Sequence, residues 1–176
     1  MANLPVKKII ITGFMGSGKS SIAKALAELL EYEMIDLDEA IAAAAGRSPA
    51  AIIQEDGEAR FRELEGQALT TLIEADGKQV LALGGGTWIL KANRDQIQQH
   101  GATSVWLDAP FDLCWQRIAA AADQRPLAPD ETTAFELFSE RTSCYELADL
   151  RVAVTELKSA EEIAAEIART LTKRTR

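Results

Sequence analysis

The sequence predicts one α/β domain in three layers, a parallel sheet with helices on both faces. Three observations carry this. Short apolar runs alternate with helical patterns from end to end, as βα units require. The first apolar run passes through a glycine-rich loop directly into a helix. With 176 residues, 47% apolar and 26% charged, the chain can bury one sizeable core. No linker, repeat or low-complexity tract divides it, so the domain is expected to span 1–176.

Taken in order, strands are expected at 8–12, 33–35, 79–83, 104–107 and 151–154, each a short apolar run between helical segments. Helices are expected at 19–30, 38–45, 57–75, 91–99, 110–121, 133–147 and 160–172. Asp38 could cap a helix starting near Glu39. His100-Gly101 marks the end of the helix at 91–99, where a histidine suits the negative end of the dipole. Ser159-Ala160-Glu161-Glu162 reads as a capping box for the last helix.

Composition narrows the function. A net charge of −8 argues against broad binding to nucleic acid or anionic membranes. No apolar run reaches the length of a membrane span, and the first residues lack the pattern of a signal peptide. Cys114 and Cys144 have no metal-ligand spacing and read as reduced packing residues of a cytoplasmic protein. Positive charge in so acidic a chain must be concentrated where anions bind. Lys19, Arg62, Arg117, Arg125 and Arg141 all fall beside other functional signals.

The strongest signal is Gly13-Phe14-Met15-Gly16-Ser17-Gly18-Lys19-Ser20, a complete G-x-x-x-x-G-K-S phosphate loop between strand and helix. Backbone N–H groups and the helix dipole converge there on one point, which suits a polyphosphate. Lys19 can reach the outer phosphates, and the Ser20 hydroxyl can ligate Mg²⁺. The loop implies a nucleoside triphosphate.

Five weaker signals follow. Asp36 and Asp38 close the second strand at the carboxyl end of the sheet, where ligands of such sheets bind. One carboxylate could hold Mg²⁺ through water and the other accept a proton from an attacking hydroxyl. Arg62 and Glu65 stand one turn apart on a helix, so Glu65 can orient the guanidinium as a fork for a carboxylate or phosphate. Gly84-Gly85-Gly86 ends a strand without side chains, open to close approach by a ligand. Arg125-Pro126-Leu127 lies in a polar stretch between helices, from which an arginine could close over a nucleotide. Arg141 precedes Tyr145 by one helical turn.

In this order, the six signals resemble the shikimate kinase family nearly end to end. The phosphate loop, Asp36 and Asp38, Gly57-Glu58 with Phe61, Arg62 and Glu65, the triple glycine, Arg125-Pro126-Leu127, and Arg141 with Tyr145 each match a family motif. The resemblance implies a P-loop kinase fold of the nucleoside monophosphate kinase type, with five parallel strands in the order 2-3-1-4-5. It implies substrate-binding helices at about 38–65 and a mobile lid at about 122–132. The reaction implied is transfer of the γ-phosphate of ATP to the 3-hydroxyl of shikimate, in aromatic amino-acid biosynthesis. Asp38, Arg62, Gly84, Gly85, Gly86 and Arg141 would hold shikimate, with Asp38 favouring proton removal. Gly16, Ser17, Gly18, Lys19, Ser20 and Ser21 would hold the nucleotide phosphates, with Arg117 near the adenine. Lys19 and Arg125 would neutralise the transferring phosphate. Ser20 and, through water, Asp36 would hold Mg²⁺. A monomer is expected by default.

The chain departs from the family pattern at Glu55, where a phenylalanine is usual, at Ala128 in the lid, and at Trp88 after the glycines. Two other readings stay open: a P-loop kinase for gluconate, a nucleoside or another small metabolite, and a non-catalytic relative. Val105-Trp106-Leu107-Asp108 looks like a Walker B strand, but Asp108 is read as structural, because the glycine-ended strand is expected beside the phosphate-loop strand.

Overall fold

The computed structural model describes residues 6–121 and 129–174. Five parallel strands form one sheet in the order β2-β3-β1-β4-β5: β1 (Lys8–Thr12), β2 (Glu33–Asp36), β3 (Gln79–Ala82), β4 (Thr103–Asp108) and β5 (Leu150–Ala153). Ile9, Ile10 and Ile11 of β1 are fully buried at its centre, as are Val80, Leu81 and Val105 beside them. Continuous apolar runs are what a strand covered on both faces requires.

Eight helices are described: α1 (Lys19–Leu30), α2 (Leu37–Ala45), α3 (Pro49–Asp56), α4 (Glu58–Glu74), α5 (Lys91–Gln99), α6 (Phe111–Ala120), α7 (Glu131–Tyr145) and α8 (Ala160–Arg174). The β1-to-β2 and β3-to-β4 crossovers run in opposite directions across the sheet. Right-handedness of both places α1 and α5 on opposite faces. α8 packs on α1, burying Ile163, Ala164, Ile167 and Leu171. The capping box at its start forms as expected: Ser159 N–H donates to Glu162 Oε2 (2.8 Å) and Glu162 N–H to Ser159 Oγ (3.2 Å). His100 ends α5, its Nδ1 2.8 Å from the Gln96 carbonyl.

Two expectations are corrected, and the structural reading of Asp108 stands on a different ground. The first helix after β2 begins at Leu37, and its cap is Asp36, not Asp38: Asp36 Oδ1 accepts the Asp38 N–H at 3.0 Å. The expected elements omit α3. Its start is nevertheless written in Ser48-Pro49, where Ser48 Oγ accepts the Ala51 N–H (3.2 Å) and proline occupies the first turn. Strand position alone does not make Asp108 structural, because β4 flanks β1 on one side as β3 does on the other. Asp108 is instead engaged by Arg151, with Nε at 2.9 Å and Nη2 at 2.7 Å.

The consequence of the topology is local. The loops leaving β1, β2 and β3 gather at the carboxyl edge of three adjacent strands, where open α/β sheets bind ligands.

Candidate active site

The phosphate loop leaves β1 at Gly13 and enters α1 at Gly18, whose φ of +95° forms the amino-terminal cap. Gly16 combines a φ of +79° with close packing: a Cβ there would stand 2.5 Å from the Cys114 carbonyl oxygen in α6. Glycine is required on both counts. α6 therefore lies directly on the loop, and Arg117 Nη1 donates to the Gly16 carbonyl at 3.0 Å. Lys19 Nζ curls back to the carbonyls of Gly13 (3.0 Å) and Phe14 (2.9 Å). Ser17 does not face the loop's opening. It is fully buried, with its N–H closing a turn on Phe14 O at 3.2 Å.

In front of the loop is a cleft of about 310 Å³. Gly16, Gly18, Lys19, Ser20, Ser21 and Arg117 line one side; Asp36, Asp38, Gly84 and Gly85 line the other. Across the floor, Ser20 Oγ donates to Asp36 Oδ2 at 2.7 Å. Asp36 thus divides its carboxylate, one oxygen capping α2 and the other held by Ser20. Among the described residues no cluster of three or more His, Cys, Asp or Glu could cage a metal. A hydroxyl and one carboxylate, both hard oxygen donors, fit Mg²⁺, which is usually held by one or two protein groups, water and substrate phosphates.

The glycine turn after β3 explains its own composition. A Cβ on Gly84 would lie 2.8 Å from Asp38 Oδ1; one on Gly86 would lie 2.5 Å from Arg62 Nη2; one on Gly85 would lie 3.7 Å from Arg141 Nη1. Gly84 and Gly86 thus make room for polar side chains of α2 and α4, while Gly85 leaves ordinary contact distance to Arg141 of α7. The same Gly85 position is 3.7 Å from Met15 N, so the phosphate loop and this turn touch where the two sides of the cleft meet.

The arginines are held from behind. Arg62 Nη1 donates to both oxygens of Glu65 (3.1 and 2.9 Å), and Nη2 to Glu58 at 3.0 Å. Burial alone would lower the pKa of Arg62, but Glu65 and Glu58 outweigh it and raise it above its ordinary value. Arg141 is 9% exposed, and its Nη1 donates to the Gly85 carbonyl at 3.2 Å. The Tyr145 hydroxyl donates to that carbonyl at 2.7 Å, and burial pushes its pKa up to about 12. Trp88 Nε1 adds a bond from the turn to α7, at Cys144 O (2.9 Å).

Asp36, Asp38, Lys19, Ser20, Ser21, Arg117 and the first two turn glycines thus meet in one cleft, while Arg62 and Arg141 abut its glycine turn. Arg125 and most of the expected lid lie outside the described residues. Glu55 stands apart, paired on an exposed surface with Arg47 Nη1 at 2.8 Å. Motif reading assigns no role to two contributors, Thr87 and Trp88, the second noted only as a departure from the family pattern. Their only signal is that they follow the glycines.

The chain is similar to known proteins over nearly its whole length. The family model described as "Shikimate kinase" matches residues 15–172. A shikimate kinase of Ruegeria pomeroyi is 38% identical over 149 residues, covering 83% of this chain and 75% of that protein. One from Persephonella marina is 35% identical, covering 92% and 97%. Among solved structures, the shikimate kinase of Acinetobacter baumannii in complex with shikimate superposes with a TM-score of 0.89, at 30% identity over 97% of this chain and 96% of that one. A complete phosphate loop, a glycine turn flanked by one aspartate and two arginines, and family matches over nearly the whole length agree: the chain belongs to the shikimate kinase family.

Proposed function

We propose that the residues of this cleft carry out the reaction of the family, ATP-dependent phosphorylation of the 3-hydroxyl of shikimate to give shikimate 3-phosphate and ADP, with the work divided between its two walls. The observation that carries the division is the glycine turn, whose missing side chains at Gly84 and Gly86 admit Asp38 and Arg62, with Arg141 against Gly85. A small acidic polyol needs these groups: guanidinium forks for its carboxylate and a carboxylate for its hydroxyls. Asp38 lines the cleft beside the phosphate loop, where it can accept the proton of the attacking hydroxyl.

The opposite wall holds the nucleotide. The backbone of residues 16–21 cradles the phosphates, Lys19 neutralises the charge that develops on the transferring group, and Arg117 borders the base. Ser20 and Asp36 would hold Mg²⁺, which supplies charge neutralisation and alignment of the phosphate oxygens when bound. Arg125 belongs to the same proposal as a second cation on the transferring phosphate. Positioning and electrostatics of this kind are most of what phosphoryl transfer asks of a protein.

A monomer acting in the cytoplasm completes the reading. The two free cysteines are in keeping with a reducing compartment. The decisive experiment is coupled ADP release with MgATP, comparing shikimate with gluconate, nucleosides and no acceptor. Shikimate-dependent turnover far above the others is expected. Equal or greater turnover on gluconate or a nucleoside would overturn the acceptor assignment.

A further inference from the structure

From its buried hydroxyl we infer that Thr87 is a positioning residue for the acceptor site, acting through Glu65 to aim Arg62. The inference rests on the reading of Arg62 as the acceptor's carboxylate clamp.

Thr87 opens the short 3-10 turn Thr87–Ile89 that follows the glycines and is fully buried. Its backbone is fixed on both sides. The N–H donates to Gly84 O at 3.2 Å, and the carbonyl accepts Asn93 Nδ2 at 3.0 Å from another buried side chain. The hydroxyl is therefore delivered by a rigid turn, and it donates to Glu65 Oε1 at 2.7 Å.

Glu65 is itself fully buried on α4, and its hydrogen bonds run to only two partners among the described residues, Arg62 and Thr87. Arg62 comes from the same helix, one turn away, so their pairing alone fixes neither against the glycine turn. The Thr87 bond supplies that registration. It ties the Arg62–Glu65 pair of α4 to the loop of β3, where Arg62 packs on Gly86. A hydrogen bond to a buried charge is among the stronger ones available to a protein. Without it the carboxylate can rotate, and the guanidinium fork turns with it.

The test separates the hydroxyl from the methyl group. Thr87→Val keeps shape and removes the donor; Thr87→Ser keeps the donor; Thr87→Ala, which leaves room for water, guards against a folding failure of the valine variant. For each, KM for shikimate and for ATP is measured with the melting temperature. Thr87→Val is expected to raise the shikimate KM roughly tenfold, with the ATP KM within about twofold, and Thr87→Ser to restore it. Thr87→Ala should fall between them. Arg62→Ala is measured alongside. If it raises the shikimate KM while Thr87→Val and Thr87→Ala do not, or if Thr87→Ser fails to restore affinity, the Thr87 role is overturned and the clamp stands. If Arg62→Ala leaves the shikimate KM unchanged, the clamp itself falls and this inference with it. A lowered melting temperature with both KM values unchanged would reduce Thr87 to a structural residue.

Discussion

The two walls of the cleft are built on opposite plans. The nucleotide wall is built mainly from one stretch of chain, the phosphate loop and the start of α1, with Arg117 added from α6. The acceptor wall draws single side chains from α2, α4 and α7 onto a turn that has none of its own. A phosphate is met by N–H groups whose directions follow from backbone geometry, so consecutive residues suffice. A chiral polyol must be gripped from several sides, and a single segment cannot surround it. The difference predicts which perturbations will be local and which will spread.

The largest effect should come from breaking the nucleotide wall alone. Lys19→Ala is expected to lower kcat about a hundredfold to a thousandfold while leaving shikimate binding within about twofold. Calorimetric titration with shikimate, beside steady-state kinetics, checks both halves; a parallel loss of shikimate affinity would show that the walls are not separable. Asp38→Asn acts at the junction. Turnover should drop about a hundredfold or more while shikimate still binds, and unchanged turnover would remove Asp38 from the proton-accepting role.

Gly86→Ala sharpens the comparison from the acceptor side. Gly86 has a φ of −101°, which alanine tolerates, so its effect is purely one of space. The new methyl would meet the flexible end of Arg62, and the guanidinium has to move. The expected result is a near-normal melting temperature, a shikimate KM raised roughly tenfold, and an unchanged ATP KM. Gly16→Ala on the other wall should behave oppositely. Its methyl meets the backbone of α6, at a φ that alanine resists, so stability and nucleotide affinity fall together.

The smallest effect belongs to the frame. Ser48→Ala removes the cap of α3 and should cost about 1 kcal/mol, roughly 2–4 °C in melting temperature, with little change in either KM. Calorimetric melting resolves it.

How much of this was legible in the sequence follows the same division. The phosphate loop could be placed from eight consecutive residues because its function is local. Arg62 with Glu65 could be paired from helical spacing, and the pairing is present at 2.9 Å. Thr87 could not be assigned, because its partner is 22 positions away and only the packing of α4 against the glycine turn brings them together. Asp36 and Asp38 were recognised as a pair, but the choice of helix cap depends on whether α2 starts one residue after the strand or three. Backbone geometry settles that, and composition does not. The omission of α3 has a different cause. Ser48-Pro49 is a proper start signal, but only Ile52 of the helix is fully buried, so the apolar period that would announce it is weak.

The glycine turn also constrains how such an enzyme can change its acceptor. A side chain at Gly84 would collide with Asp38, and one at Gly86 with Arg62. Most single substitutions there would remove a binding group before adding one. Selection for a new acceptor is thereby pushed away from the turn and onto α2, α3 and α4, where a residue can change without displacing its neighbours. The turn is therefore easy to keep and costly to leave, since its two tightest glycines are locked by the side chains they admit.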